Sequence, residues 1–318
     1  MLKRKALRKI LITSITLLML VCFYLIPDND KDFTGNMKVE FVSNMGSNSI
    51  YLLNKDNYLV KSNILLTEKT KEDKIKKVIE KLKNSDNNMS NKLRGVIPSK
   101  TKLLGVKIDG KSAILDFSKD ILDVSLDIER RMLEAIVFSL TDLDGIDSVV
   151  INVDGNLMSE YPNSKEKINY PLDRDIGINK KYDISSRNNI NKVVIYYVEK
   201  INDVNYYVPV TKYLNDDREK IKIIVDELAS SYIYEPNLMS FLNSKTELLS
   251  YNIDNGVLFL DFNDQLYGSN NKILEEVIYT LGYSIFENYD VNSFVFSVNG
   301  DSISTISEKN LVSGSINK

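Results

Sequence analysis

The stretch Lys100–Phe117, KTKLLGVKIDGKSAILDF, recurs without a gap as Lys245–Phe262, KTELLSYNIDNGVLFLDF. Lys100, Thr101, Leu103, Leu104, Ile108, Asp109, Leu115, Asp116 and Phe117 meet identical residues at a constant offset of 145. An internal repeat constrains a fold more than any local signal, because one folding unit has then been used twice. The 318 residues suit two such units, each large enough to bury a core of its own.

Each copy reads as the same series of elements. In the first, Met37–Ser43 alternates as a half-buried strand, and Ser49–Leu53 and Tyr58–Leu66 are short strands around the Lys55-Asp56-Asn57 turn. Thr70–Asn84 is a helix with Thr70 as N-cap and Asp73 completing a capping-box-like pair. Ile75, Val78, Ile79 and Leu82 form its apolar stripe. Residues 85–92 are a polar loop. Leu104, Val106 and Ile108 alternate into the Asp109-Gly110 turn, and Ala113, Leu115 and Phe117 alternate on the way back, which predicts a hairpin. A helix over Asp127–Leu143 buries Ile128, Met132, Leu133, Ile136 and Leu140 and stops near Asp144-Gly145. Ser148–Val153 is the closing strand.

The second copy repeats the order. Strands are expected at Lys192–Val198 and Asn205–Leu214, a helix at Asp217–Ser230, a hairpin at Leu248–Phe262 around Asp254-Asn255-Gly256, a helix at Asn271–Glu287 and a strand at Val291–Val298. Ile221, Ile224, Val225 and Leu228 face inward on its first helix, and Leu274, Val277, Ile278, Leu281 and Ile285 on its second. The expected fold is therefore α+β: two tandem small domains, at 37–156 and 192–301, each a single short, mostly antiparallel sheet covered on one face by two helices. Between them, 157–191 reads as a linker. Pro162, Pro171, Gly177 and abundant Asn and Ser deny it a core of its own, though Tyr170 and Leu172 are available to pack on a domain. Residues 302–318 read as a polar tail.

The N-terminus, 1–30, reads as a membrane segment. Lys3, Arg4, Lys5, Arg8 and Lys9 precede the apolar run Ile10–Ile26, which stops at Pro27-Asp28. The basic flank stays in the cytoplasm, which sends the bulk of the chain outward. Bulky Leu20, Val21, Cys22 and Phe23 replace the small residues of a cleavage site, favouring a retained single-pass transmembrane helix over a cleaved signal. Cys22 follows Val21 and precedes more apolar residues, so it reads as a small apolar residue of that helix and not as a lipoprotein acceptor.

Composition narrows the chemistry. The net charge of −3 leaves no basic footprint for nucleic acid. With no histidine, the Ser–His–Asp, Cys–His and zincin chemistries are excluded. Cys22 is the single cysteine, so the soluble part has neither a disulfide nor a thiolate metal site. Asp116 and Asp261, equivalent in the repeat, are the best candidate active groups, but each reads as facing solvent or capping a nearby backbone group. Asp109-Gly110 and Asp254-Asn255-Gly256 are turn chemistry. The glycines follow no phosphate-loop spacing, and Asp216-Asp217 and Asp142/Asp144 lack a calcium loop's ligand spacing. No catalytic, cofactor-binding or metal-ligating residue is assigned, and no cofactor is expected. Tyr196-Tyr197, Tyr206-Tyr207 and Tyr232/Tyr234 make the second copy richer in tyrosine, a residue enriched at interfaces.

The ordered motifs resemble a known family. Pro98–Phe117 carries P-x-x-T-x-L-L-x-V-x-I-D-G-x-x-A-x-L-D-F, Ala135–Thr141 carries AIVFSLT, and Val149–Gly155 carries V-x-I-x-V-D-G. Together they resemble the GerM domain of sporulation and spore germination proteins. The second copy matches at Lys245–Phe262, Val277–Leu281 and Phe294–Gly300, with Asn243 where the first has Pro98. The resemblance implies a non-enzymatic scaffold or assembly factor of the forespore and mother-cell envelope in an endospore-forming bacterium. It also implies a fold similar to ring-building modules, and partners among the membrane and other envelope or sporulation-channel proteins, with self-association through sheet edges or helix faces. Two readings compete with it. One is a module binding cell-wall peptidoglycan, glycan or peptide, through the second copy's tyrosines. The other is a wall hydrolase using Asp116 and Asp261, which would need them about 5–9.5 Å apart in one cleft.

Overall fold

The computed structural model of the protein describes residues 48–84, 93–230, 237–268 and 272–308, together with Leu311. The membrane segment, Cys22, the strand expected at Met37–Ser43, the polar loop 85–92 and the end of the tail lie outside the described residues. So do Tyr232 and Tyr234. Among the described residues no helix is long and apolar enough to cross a membrane.

In the first copy, β1 (Asn48–Leu53) and β2 (Leu59–Ile64) form an antiparallel hairpin, followed by α1 (Lys71–Leu82). The repeated stretch gives β3 (Leu103–Asp109) and β4 (Ser112–Phe117). Next come α2 (Glu129–Leu140), β5 (Ser148–Val153) and the short β6 (Asn156–Leu157). β3-β4-β5-β6 form one sheet. Its central pair, β4 with β5, is parallel because α2 carries the chain back to the same end. The sheet is therefore mixed.

After β7 (Lys181–Asp183), the second copy has β8 (Asn191–Ile201), β9 (Val204–Leu214), α3 (Lys220–Ala229), β10 (Leu248–Asp254), β11 (Val257–Phe262), α4 (Glu275–Asn288), β12 (Ser293–Val298) and β13 (Asp301–Ser307). β10-β11-β12-β13 repeat the mixed sheet, again with a parallel centre. Residues 302–307, expected within a polar tail, form its edge strand together with Asp301.

The expectation of a single sheet in each copy does not hold. The first hairpin of each copy stands apart from the four-stranded sheet, and the two hairpins join each other in the order β1-β2-β9-β8, through Lys61 opposite Tyr207. The helices therefore have sheet on two sides. α2 packs on β1 and on β5, and residues Met132 to Leu140 are all buried. Nine successive buried residues, Glu134 and Ser139 among them, mean that this part of the helix is covered on every side. α1 lies at the margin and buries only Ile75, Val78, Ile79 and Leu82. Thr70 caps it, accepting from the Asp73 amide at 3.1 Å. In α4 the expected inward Leu274 is exposed, because the helix begins one residue after it.

The repeated hairpin shows two further differences. Leu104 was expected inward with Val106 and Ile108. A bulge between Leu103 and Gly105 shifts the register, so Leu103 packs on the core and Leu104 is 52% exposed. The same bulge recurs between Leu248 and Ser250 and leaves Leu249 50% exposed. The turns also differ. The first loop is Gly110-Lys111 with positive φ at Gly110, and the second is Asn255-Gly256 with positive φ at both residues. These are the II′ and I′ solutions to the same two-residue connection.

Candidate functional site

The two copies meet around an approximate two-fold axis, and the repeat offset identifies it. Tyr51 and Tyr196, 145 apart, place their phenol oxygens 3.3 Å from each other. Asn54 Nδ2 donates to Glu199 Oε2 at 2.7 Å, again across 145 residues. A residue that touches its own equivalent lies on the axis of a self-complementary interface. Contacts around the axis come in pairs. The Tyr51 amide donates to Ser139 Oγ at 3.0 Å, and the Tyr196 amide to Ser284 Oγ at 2.9 Å. Tyr51 packs against Phe138 at 5.7 Å, as Tyr196 does against Tyr283 at 5.3 Å.

The segment read as a linker supplies the rest of the joint. Met158, Ile168, Leu172 and Ile178 are buried, and Leu172 exchanges both backbone hydrogen bonds with Val149. Asn179 is 0% exposed. Its Oδ1 accepts from the Leu59 amide at 2.9 Å, and its Nδ2 donates to the carbonyls of Leu59 at 2.8 Å and Pro209 at 2.7 Å. One side chain thus satisfies backbone of β2 and of β9, where the two hairpins would otherwise leave buried polar groups. Arg174 lies beside the axis. Its Nη1 pairs with Glu287 at 2.5 Å, its Nε donates to Thr141 Oγ1 at 3.0 Å, and its guanidinium lies 4.8 Å over the Phe138 ring. Asp142 stands 3.7 Å away. Burial works against the charge on Arg174. Glu287 and the other groups around it outweigh burial and hold its pKa above the ordinary arginine value.

At one end of the joint a cleft of about 270 Å³ opens between β2, the β8–β9 turn and the start of α4. Lys61, Asn205, Tyr206, Tyr207, Glu276 and Tyr279 are among its walls. Burial opposes the charge of Lys61, but Tyr51, Asp142 and Tyr283 outweigh it, and its pKa lies above the usual lysine range. Burial pushes the Tyr207 and Tyr279 phenols up.

The candidate residues distribute as follows. Asp116 Oδ1 accepts from the Gly155 amide at 2.9 Å and Asp261 Oδ1 from the Gly300 amide at 2.8 Å, so each carboxylate holds a turn of its own sheet. Among the described residues no hydrogen bond joins them. Asp216 pairs with Arg218, and Asp142 accepts from the Ser49 amide at 2.6 Å. No group of three or more His, Cys, Asp or Glu among the described residues is placed to hold a metal ion. Of the tyrosines, Tyr196 sits on the axis, Tyr206 and Tyr207 line the cleft, and Tyr197 is buried. Tyr51, Asn179, Arg174 and Lys61 carry the joint and were not singled out by sequence. Only the pair Tyr51/Tyr196, identical at the repeat offset, offered a signal.

Among the described residues, two mixed sheets, four helices and a shared central sheet define a tandem of one α+β domain. The chain belongs to the Germane family, described as sporulation and spore germination, whose model matches residues 49–159 and 194–304. Its role is accordingly a sporulation-related one. It is 28% identical over 284 residues to the spore germination protein GerM of Bacillus subtilis (strain 168), covering 86% of this chain and 77% of that protein. The solved tandem GerMN domains of the sporulation protein GerM from Bacillus subtilis superpose with a TM-score of 0.75 at 26% identity, covering 82% of this chain and 95% of that one.

Proposed function

We propose that this protein is a non-enzymatic assembly factor of the sporulating cell envelope, held at the membrane by Ile10–Ile26 with its two domains outside the cytoplasm. The observation that carries the reading is the spending of its polar groups on structure. Asp116 and Asp261 are each tied to a turn of a separate sheet, and the half-buried Arg174 and Glu287 answer one another within the joint. What is left for partners is the outside of a stable two-domain body, including Leu104 and Leu249 raised on matching bulges. Two exposed apolar residues at equivalent places suit contacts with neighbouring envelope proteins.

Deletion of the gene in the spore-forming host, paired with affinity capture of the anchored protein from sporulating cells, tests this reading. Envelope or channel proteins are expected in the capture, together with a block in sporulation or germination. Normal sporulation and germination in the deletion strain would overturn it. Membrane fractionation with protease accessibility checks the anchor, and a carboxyl-terminal domain protected in intact cells contradicts the proposed orientation. Of the described tyrosines that the wall-binding reading would use, Tyr206 and Tyr207 line the cleft, while Tyr196 and Tyr197 are used inside the fold.

A further inference from the structure

The cleft at the joint holds an imbalance that the fold itself does not resolve. Tyr207, Tyr279 and Tyr283 form a mutual cluster, with ring centroids 5.1 Å, 5.4 Å and 5.6 Å apart. Aromatic faces are negative and attract cations. Lys61 already demonstrates the attraction, its Nζ lying 4.4 Å from the Tyr283 centroid and 6.0 Å from that of Tyr196. That ammonium belongs to the Tyr283 end.

The other end is formed by the first turn of α4. There Glu275 and Glu276 stand side by side, and among the described residues neither makes an ion pair. Glu276 Oε1 accepts from Asn205 Nδ2 at 2.9 Å. The helix dipole accounts for acids at this terminus. It does not account for their placement beside a buried aromatic wall, where partial desolvation and then the charge of Glu276 raise the pKa of Glu275, although the residue is largely exposed. A second observation is independent of the acids. Tyr279 is only 2% exposed, and its phenol oxygen has no hydrogen-bond partner. A buried hydroxyl without a partner is a standing cost that a ligand can relieve.

We propose that this end of the cleft binds a primary ammonium group, carried by a lysine side chain of a peptide or by a free alkylamine. The ammonium would take the two carboxylates and the Tyr279 oxygen as acceptors for its three N–H donors, with the Tyr207 ring beside it. An anion is disfavoured by the same groups. The inference is independent of the assembly role, since it concerns a site and not the outer surface.

Calorimetric titration of the full chain tests it, with n-pentylamine and Nα-acetyl-lysine methylamide as probes and N-acetylglucosamine and acetate as controls. Binding of at least one of the two amines is expected: binding of the lysine derivative points to a peptide source, and binding of pentylamine alone to a free amine. The variant E275Q/E276Q is expected to weaken amine binding about tenfold, because charge-assisted hydrogen bonds are roughly twice as strong as neutral ones. Y279F is expected to weaken it several-fold while its thermal midpoint holds or rises, since the lost hydroxyl had no partner. Silence of both amines overturns the proposal. So does amine binding unchanged in E275Q/E276Q, or binding of N-acetylglucosamine in their place.

Discussion

Two hairpins of each copy, the first in the chain and the one that follows its first helix, have fared differently. β3-β4 and β10-β11 stay within their own sheets, lie in stretches that share nine identities over eighteen positions and even share a bulge. The first hairpins, β1-β2 and β8-β9, are shared between copies and have diverged. The second strand of the later hairpin, β9, is eleven residues long against six for β2. Around them Asn54 answers Glu199, Phe138 answers Tyr283 and Asp142 answers Glu287. The residues kept alike build each domain and, as Tyr51/Tyr196, meet on the axis, while residues made unlike complete the fit between the two domains. Asp142 shows how. It holds the amide of Ser49 in β1, whereas in the second copy Asn288 holds that of Val194, leaving Glu287 free for Arg174.

Breaking the joint is expected to cost more than altering a repeated turn. Asn179→Ala removes three hydrogen bonds to buried backbone and places alanine at φ +48°, so a loss of about 4 kcal/mol is expected in urea unfolding. A loss under about 1 kcal/mol would mean that the copies do not depend on this clamp. Arg174→Leu strands Glu287 and should cost about 2–3 kcal/mol, less than a fully buried pair because part of the guanidinium reaches water. Adding Glu287→Gln should return much of that loss, and a double-mutant cycle showing additivity would dissociate the two residues.

Smaller effects sharpen the contrast within the repeated hairpin. Gly256→Ala places its methyl 2.8 Å from Asn292 Nδ2 at φ +76°, whereas Gly110→Ala at φ +59° meets nothing within 4 Å. Costs of about 1–2 and about 1 kcal/mol follow, and equal thermal shifts would show that backbone strain alone decides. Glu199→Gln gives the smallest effect and one that depends on pH. Burial, ahead of its hydrogen bond to Asn54, raises the folded pKa of Glu199. The folded state then binds the proton more tightly than the unfolded chain, so wild-type stability falls as pH rises through that pKa. Glutamine keeps an acceptor for Asn54 and carries no charge. It should gain within about 1 kcal/mol at pH 7 and lose that gain on acidification. A gain that grows toward low pH contradicts the assignment.

Much of each domain was legible because its signals are local and repeated. The α1 stripe and the Thr70 cap follow from spacing, and both glycine turns from the hairpin pattern. The bulge at Leu104 was hidden, since Leu103 and Leu104 are identical and adjacent, and alternation cannot say which faces inward. The joint was hidden for a different reason. Asn54 and Glu199 are unlike residues in unlike surroundings, and Asn179 lies among the Asn-rich residues of an apparent linker. Burial of α2 on every side follows from the shared sheet, which no pattern within one copy announces.

Arg174 lies beside the axis once, not twice. In an assembly of two identical chains, whatever one subunit places there the other must place as well, and two guanidiniums would compete for one gap. Fusing the copies into a single polypeptide lifts that restriction. An odd cation then serves two acids of different length, and the halves lose their interchangeability: one order of domains fits the connecting segment, and reversing it would leave the gap unfilled.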